Sequence, residues 1–175
     1  MVLGVNDKYM VREDLPSLIT TSDTPIGLEL GVAAGIYSIK LLQRYNFKEY
    51  YCIDSWNSRR REAHSIREYV ETYNKLKQFK PANIIRATFK EVLNEIEDEY
   101  FDFIYIDGNA GSGQEKGETI FNWYCKLKPG GIYSGHDYYK KYPLTIENVN
   151  KFAERYEKQL NFTTERKFNS WWVVK

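Results

Sequence analysis

The stretch GLELGVAAGIYS, Gly27 to Ser38, decides the fold. An apolar lead-in carries one acid, two glycines follow four apart, and helical spacing begins near Tyr37, which reads as strand, tight turn, helix. Gly31 and Gly35 fall in the turn, where glycine supplies unusual dihedrals and lets a ligand approach the backbone, although such a corner can also need glycine for packing alone. The dinucleotide fingerprint GxGxxG puts its middle glycine where this chain has Ala33, whose methyl group disfavours a pyrophosphate. Glu29 sits at the strand end. Asp54 closes the next strand-like run, YYCID, about twenty residues after the turn, where an acid commonly accepts hydrogen bonds from ribose hydroxyls. A cofactor with a ribose and no pyrophosphate is the expectation.

Outward from that corner, short apolar runs alternate with helical ones. IGLEL, EYYCID, NIIRA, FDFIYID and GGIYSGHD read as strands, separated by helical segments at Tyr37–Tyr45, Ser65–Lys77, Phe89–Glu97, Glu115–Lys126 and Thr145–Gln159. Such alternation predicts a parallel sheet with helical crossovers. LKPGG marks a helix stop and a turn into the last of those strands. NFTTERKFNSWWVVK has two strand-like pieces with no room for a helix between them, so an antiparallel hairpin ends the pattern. Residues 1–175 read as one domain, with 1–24 a leading helical segment that covers the sheet or the site.

Composition narrows the partners. Lys plus Arg number 25 against 24 Asp plus Glu, so there is no global basic field to drive nucleic-acid binding through counterion release. No apolar run approaches the roughly 20 residues of a membrane span, and the chain opens without a basic segment followed by an apolar one. Cys52 and Cys125 lie among aromatic and apolar residues without a CxxC, which predicts buried free thiols in a reducing compartment. The expectation is a cytoplasmic protein without membrane or nucleic-acid partners; a homodimer stays open.

The combined pattern resembles the class I S-adenosylmethionine-dependent methyltransferases, whose first motif is acid-x-Gly-x-x-x-Gly, and the likeness runs from Gly27 to Lys175. It implies a Rossmann-like α/β fold, mostly parallel sheet with a C-terminal antiparallel hairpin and helices on both faces. By the same resemblance Gly31, Ala33 and Gly35 pass beneath the methionine part of the cofactor, Glu29 helps place its amino group and Asp54 holds the ribose. Thr88 and Phe89 would flank the adenine, and Ser55 and Trp56 would line the same pocket. FDFIYIDG, LKPGGIYSGHDYY and the terminal SWWVVK together look like the small sugar-hydroxyl branch related to macrocin O-methyltransferase. That likeness implies a divalent cation, magnesium by preference, held by Asp107 and Asp137 with His136 adjacent, and a sugar or glycan acceptor. Where relatives often read IDGDH, this chain reads IDGNAG, so an acid is replaced by Asn109 and a histidine by Ala110. Asn109 cannot take a proton, which leaves His136 as the expected proton acceptor.

Plainer readings compete. Asp107 and Asp137 could cap the segments that follow them. His136 and Asp137 are neighbours, and in a regular strand they would face opposite sides, so both enter one site only where the strand has ended. His64 reads as a solvated helix residue, and Arg59 to Arg61 as a solvated helix start rather than a phosphate clamp. Trp171 and Trp172 must face opposite sides of the last strand. An oxidoreductase using a nicotinamide cofactor, and an inactive cofactor-binding partner subunit, are the competing functions; Ala33 opposes the first and GNAG favours the second.

Overall fold

Each apolar run forms a strand: β1 (Ile26–Leu30), β2 (Glu49–Asp54), β3 (Ala82–Arg86), β4 (Phe101–Ile106) and β5 (Leu127–Tyr138). The computed structural model describes residues 9–58 and 64–175, so Arg59 to Arg61 lie outside the described residues. Two further strands, β6 (Asn161–Phe162) and β7 (Asn169–Val174), complete one seven-stranded sheet in the order β3-β2-β1-β4-β5-β7-β6. Strands β1 to β5 pair in parallel, whereas β7 runs antiparallel to β5 and β6, as the hairpin reading expects.

The crossovers are α1 (Ile36–Arg44), α2 (Ile66–Leu76), α3 (Phe89–Leu93), α4 (Gly113–Lys116), α5 (Glu118–Asn122) and α6 (Pro143–Arg155). Ser65 caps α2 by accepting from Glu68 N–H, and Thr88 with Glu91 forms a capping box on α3, so one backbone donor at the start of α2 and two at the start of α3 are met locally. Pro143 opens α6 at a position where its missing N–H costs nothing.

Alternation along the strands divides the core in two. Leu28, Leu30, Ile104, Ile106, Tyr133 and Trp171 pack with Phe89, Ile120, Val149 and Phe152 on one face. Cys52, Phe103, Tyr105 and Ile132 pack with Leu15, Tyr37, Leu41 and Leu76 on the other. Helices therefore cover both faces. Trp171 belongs to the first cluster and Trp172 packs against the second, as expected for neighbours in a strand.

Three local readings are corrected. The helix expected over Glu115–Lys126 is broken: Gln114, Glu115 and Lys116 all have positive φ, and helical structure resumes at α5 and in a 3-10 turn at Tyr124–Lys126. The cause is docking onto α6, where Thr145 Oγ1 donates to Ala110 O at 3.0 Å and Asn148 Nδ2 donates to Gly113 O at 2.9 Å. The leading segment holds a 3-10 helix, Arg12–Leu18, with Pro16 inside it. Cys52 is buried as expected, but Cys125 is exposed; both are free thiols. No helix of the described residues is long and apolar enough to cross a membrane.

The leading segment is tied to the far end of the chain. Met10 N–H donates to Thr164 Oγ1 at 2.9 Å, Thr164 N–H donates to Met10 O at 2.8 Å, and Arg12 N–H donates to Glu165 Oε1 at 2.7 Å.

Candidate active site

The glycine turn after β1 is held from three sides. Asp54, at the end of β2, accepts from Val32 N–H and Ala33 N–H on one oxygen, both at 3.0 Å, and from Trp56 N–H on the other at 2.9 Å. Trp56 Nε1 and Thr72 Oγ1 both donate to Ala33 O, at 3.0 and 2.9 Å. Ala33 is thereby fixed at φ 47, a left-handed conformation uncommon for a residue with a Cβ. Gly31 has φ 97, and a Cβ there would lie 2.3 Å from the carbonyl oxygen of Asp107. Its bareness lets the backbone after β4 pass close by: Asp107 N–H donates to Leu30 O at 2.7 Å.

His64 Nδ1 lies 2.9 Å from Asp54 Oδ2. Burial pushes the Asp54 carboxyl up, but hydrogen bonds from His64 and from the amides of Trp56 and Ala33 outweigh it and hold the carboxyl below its ordinary range. The same pairing raises His64. Glu29 is enclosed: Ser38 Oγ and Tyr50 OH donate to its Oε2 at 2.5 and 3.2 Å. Burial pushes its carboxyl up to about 8, so it is mostly protonated at neutral pH.

Across the turn, the ends of β4 and β5 bring Asp107, His136 and Asp137 together. His136 Nδ1 lies 3.4 Å from Asp107 Oδ1 and 3.2 Å from Asp137 Oδ1. Consecutive residues face one cluster because the β5–β7 register breaks between Gly135 and Tyr138, with Asp137 at φ 63, a local irregularity of the kind that re-aims side chains. Burial opposes charge on His136, yet the two carboxylates outweigh it and push its pKa up to about 9. Arg12 Nη1 donates to Asp107 Oδ2 at 3.2 Å, and its guanidinium lies 4.9 Å from the Tyr37 ring centre. Ligand atoms of Asp107, His136 and Asp137 all lie within 4.8 Å of one another. Two hard carboxylate oxygens and an imidazole suit magnesium or manganese and do not form a thiolate-type zinc set. Arg12 occupies the outer oxygen of Asp107 and leaves the one facing His136 for such an ion.

These groups converge beyond the carboxyl ends of β1 and β4, where strand order reverses, the place at which open α/β sheets bind ligands. A family model described as a methyltransferase domain matches residues 28–138. The chain belongs to that methyltransferase family. The methyltransferase shares its fold with a putative methyltransferase from Streptococcus mutans solved with SAH, at 15% identity, TM-score 0.67, covering 93% of this chain and 95% of that one. It is also similar to an O-methyltransferase from Bacillus cereus solved with SAH, at 16% identity and TM-score 0.67, covering 93% and 80%. A putative caffeoyl-CoA O-methyltransferase from Staphylococcus aureus aligns at 17% identity and TM-score 0.66, covering 93% and 82%. No curated protein sequence matches the chain. The methyltransferase has the class I S-adenosylmethionine-dependent architecture expected from its first motif.

Within this methyltransferase the expected cofactor residues divide by what they touch. Gly31, Ala33, Gly35 and Asp54 build the turn and its strap. Trp56 is fully buried in the core with its ring 5.1 Å from that of Tyr69, and Thr88 is committed to the α3 cap. Phe89 is mostly buried and packs its ring over Gly108, while Ser55 is half-buried beside Asp54. His64 is exposed as expected, but it precedes the α2 cap instead of lying in a helix, and its ring turns back onto Asp54. Arg12 is a site residue that sequence reading missed, although the leading segment was expected to cover the site.

Proposed function

We propose that the protein transfers the methyl group of S-adenosylmethionine to a hydroxyl oxygen of a small acceptor, a sugar or glycan being the favoured class. The observation that carries this reading is the convergence of Asp107, His136 and Asp137 at the strand ends next to the glycine turn. S-adenosylmethionine supplies an electrophilic methyl on sulfur, so that the C–O bond forms as the C–S bond breaks, its electron pair staying on sulfur and the hydroxyl proton leaving. Two O-methyltransferases among the fold neighbours lend support for oxygen as the target.

In this reading Asp54 receives the ribose hydroxyls. Its two oxygens already serve three amides and His64, and only the His64 side can be vacated without dismantling the turn. The amides of Val32 and Ala33 stay bound and keep the carboxylate aimed. Glu29, neutral at pH 7, holds Ser38 and Tyr50 beneath the turn and can present a proton rather than a charge.

Beside His136, the carboxylates of Asp107 and Asp137 would hold a divalent cation, which would supply Lewis acidity toward the acceptor hydroxyl. His136 is the proton acceptor. Its two carboxylate neighbours make it a strong base, and they also favour its protonated state until another cation draws them off, so proton and metal oppose each other at one cluster. Arg12 orients Asp107 from outside that cluster.

The test is product analysis. Recombinant protein is incubated with S-adenosylmethionine carrying a labelled methyl group and a panel of sugars, nucleotide sugars and phenols, and the product is mapped by mass spectrometry. A label on a hydroxyl oxygen, lost in His136→Ala and Asp137→Ala, supports the reading. A label on nitrogen or carbon, or no transfer to any acceptor despite tight SAH binding, overturns it, the latter in favour of an inactive partner subunit.

A further inference from the structure

Two loops border the cluster of Asp107, His136 and Asp137. The one after β5 reads YYKKYP, Tyr138 to Pro143, and the β6–β7 turn reads TTERKF, Thr163 to Phe168. They are far apart in sequence but joined by their rings. Phe168 lies 4.7 Å from Tyr139 and 6.2 Å from Tyr142 between centroids. It also lies 6.3 Å from the His136 imidazole at an interplanar angle of 23°. The proton acceptor of the proposed reaction therefore looks out past an aromatic wall.

That wall is flanked by cations. Lys140 and Lys141 follow Tyr139, Arg166 and Lys167 precede Phe168, and all four are exposed. Each stands within two residues of a ring in the cluster, a reach of roughly 7 Å along the backbone. Among the described residues none of the four makes an ion pair with a carboxylate. The one acid in these loops, Glu165, is turned inward: one oxygen accepts from Arg12 N–H and the other is buried without a partner. Four cations are thus concentrated at the site mouth of a chain whose net charge is only +1. A local field of that kind attracts an anion of limited size, whereas a polymer would call for a broad basic surface.

We infer that this collar is the acceptor subsite and that the acceptor is a phosphorylated small molecule, its ring against Phe168 and its phosphate between Lys140–Lys141 and Arg166–Lys167. The inference rests on the methyl-transfer reading and adds the acceptor's charge. Ring and phosphate are separate demands: aromatic faces take a planar ring or the apolar face of a sugar, and paired cations take the phosphate oxygens.

Calorimetric titration with uridine diphosphate, uridine and pyrophosphate tests it, with SAH saturating so that the nucleoside cannot report on the cofactor pocket. Uridine diphosphate is expected to bind wild type, with uridine at least tenfold weaker. The double variant Lys140→Glu, Arg166→Glu should lose at least tenfold for uridine diphosphate. Phe168→Ala should weaken uridine diphosphate and leave pyrophosphate unchanged. Unaltered SAH affinity in each variant is the control for folding. Equal binding of uridine and uridine diphosphate, an unaffected double variant, or no binding of either phosphate overturns the inference. Tighter binding of a single-stranded RNA oligonucleotide than of uridine diphosphate also overturns it, in favour of a polymer. If SAH itself fails to bind wild type, the methyl-transfer reading falls, and the same titrations without SAH still decide the subsite.

Discussion

His64 Nδ1 sits 2.9 Å from Asp54 Oδ2, the same oxygen that accepts from the amides of Val32 and Ala33. A carboxylate oxygen has two lone pairs, so three donors on one oxygen already crowd it. In the proposed reaction, a ribose arriving at Asp54 would have to take the place of the imidazole. The histidine side chain is about half exposed, at 47%, and Asp54 is 5% exposed, so the imidazole is the movable partner.

Removing that competitor should tighten the cofactor site. His64→Ala is expected to bind SAH about tenfold more tightly, or ~1.4 kcal/mol, the size of one hydrogen bond to a charged group. Isothermal calorimetry reads this directly. Unchanged affinity would show that the ribose does not use the side of Asp54 that His64 covers.

The same competition sets a pH dependence. His64 has a folded pKa above its ordinary 6.5, so its pairing with Asp54 is fully present below that value and fades as pH rises through the higher folded pKa. Asp54 has a folded pKa below its ordinary 3.8, so its share is present above that value and fails only in stronger acid. SAH affinity should therefore rise as pH is raised above about 6.5. In His64→Ala the rise should vanish. A wild-type affinity that is flat from mildly acidic to mildly alkaline pH would contradict this.

Glu29 gives a stability test of opposite sign from the usual carboxylate. Its ordinary value is 4.5 and burial pushes it up to about 8, so between these the folded chain binds the extra proton and stability falls as pH rises. Glu29→Gln keeps an oxygen for Ser38 and Tyr50 and has no proton to lose. Its melting temperature should exceed that of wild type at pH 8, by an amount equivalent to roughly 2–4 kcal/mol, with the gap closing toward pH 5. Parallel curves for the two proteins would show that Glu29 is not the titrating group.

Gly31→Ala should destabilise the fold by roughly 3 kcal/mol or more, because its φ of 97 is hostile to a Cβ and the Asp107 carbonyl is 2.3 Å from where that carbon would lie. Ala33→Gly should go the other way, gaining up to about 1 kcal/mol by relieving a left-handed alanine. Urea unfolding midpoints compare both with wild type. A Gly31→Ala protein of normal stability would mean that the backbones after β1 and β4 separate easily.

Manganese titration followed by electron paramagnetic resonance tests the cation site apart from activity. Binding is expected in wild type, lost in Asp137→Ala, and strengthened severalfold in Arg12→Ala, where a competing cation leaves Asp107. Wild type that binds no manganese would remove the ion and leave His136 to act alone.

Residues whose position follows from periodicity were legible. The strand-turn-helix corner, the parallel strands, the hairpin and the placement of Asp107 and Asp137 at strand ends all follow from apolar spacing and glycine. The meeting of His136 with Asp137 depended on a break in β5 that alternation cannot announce, since it is made by a left-handed Asp137. Arg12 lies 95 residues from Asp107, and nothing in a charged residue names its distant partner. His64 sits amid charges that suggest solvent, yet its partner is ten residues back at a strand end. The break in the Glu115–Lys126 helix came from Thr145 and Asn148 on α6, donors that capture the loop from outside its own sequence.

The knot of Met10 with Thr164 and Arg12 with Glu165 spans 154 and 153 residues. During synthesis the Arg12 side chain can find Tyr37 and Asp107 once α1 and β4 exist, but its backbone N–H meets Glu165 only after the β6–β7 turn has been made, several seconds later at typical rates. A nascent chain that has already laid down β1 to β4 still lacks Thr164 and Glu165, which anchor the backbone on either side of Val11. The backbone that carries Arg12 is thus clamped over the candidate site only when β6 and β7 have formed, so the order in which the strands are made sets when that segment closes.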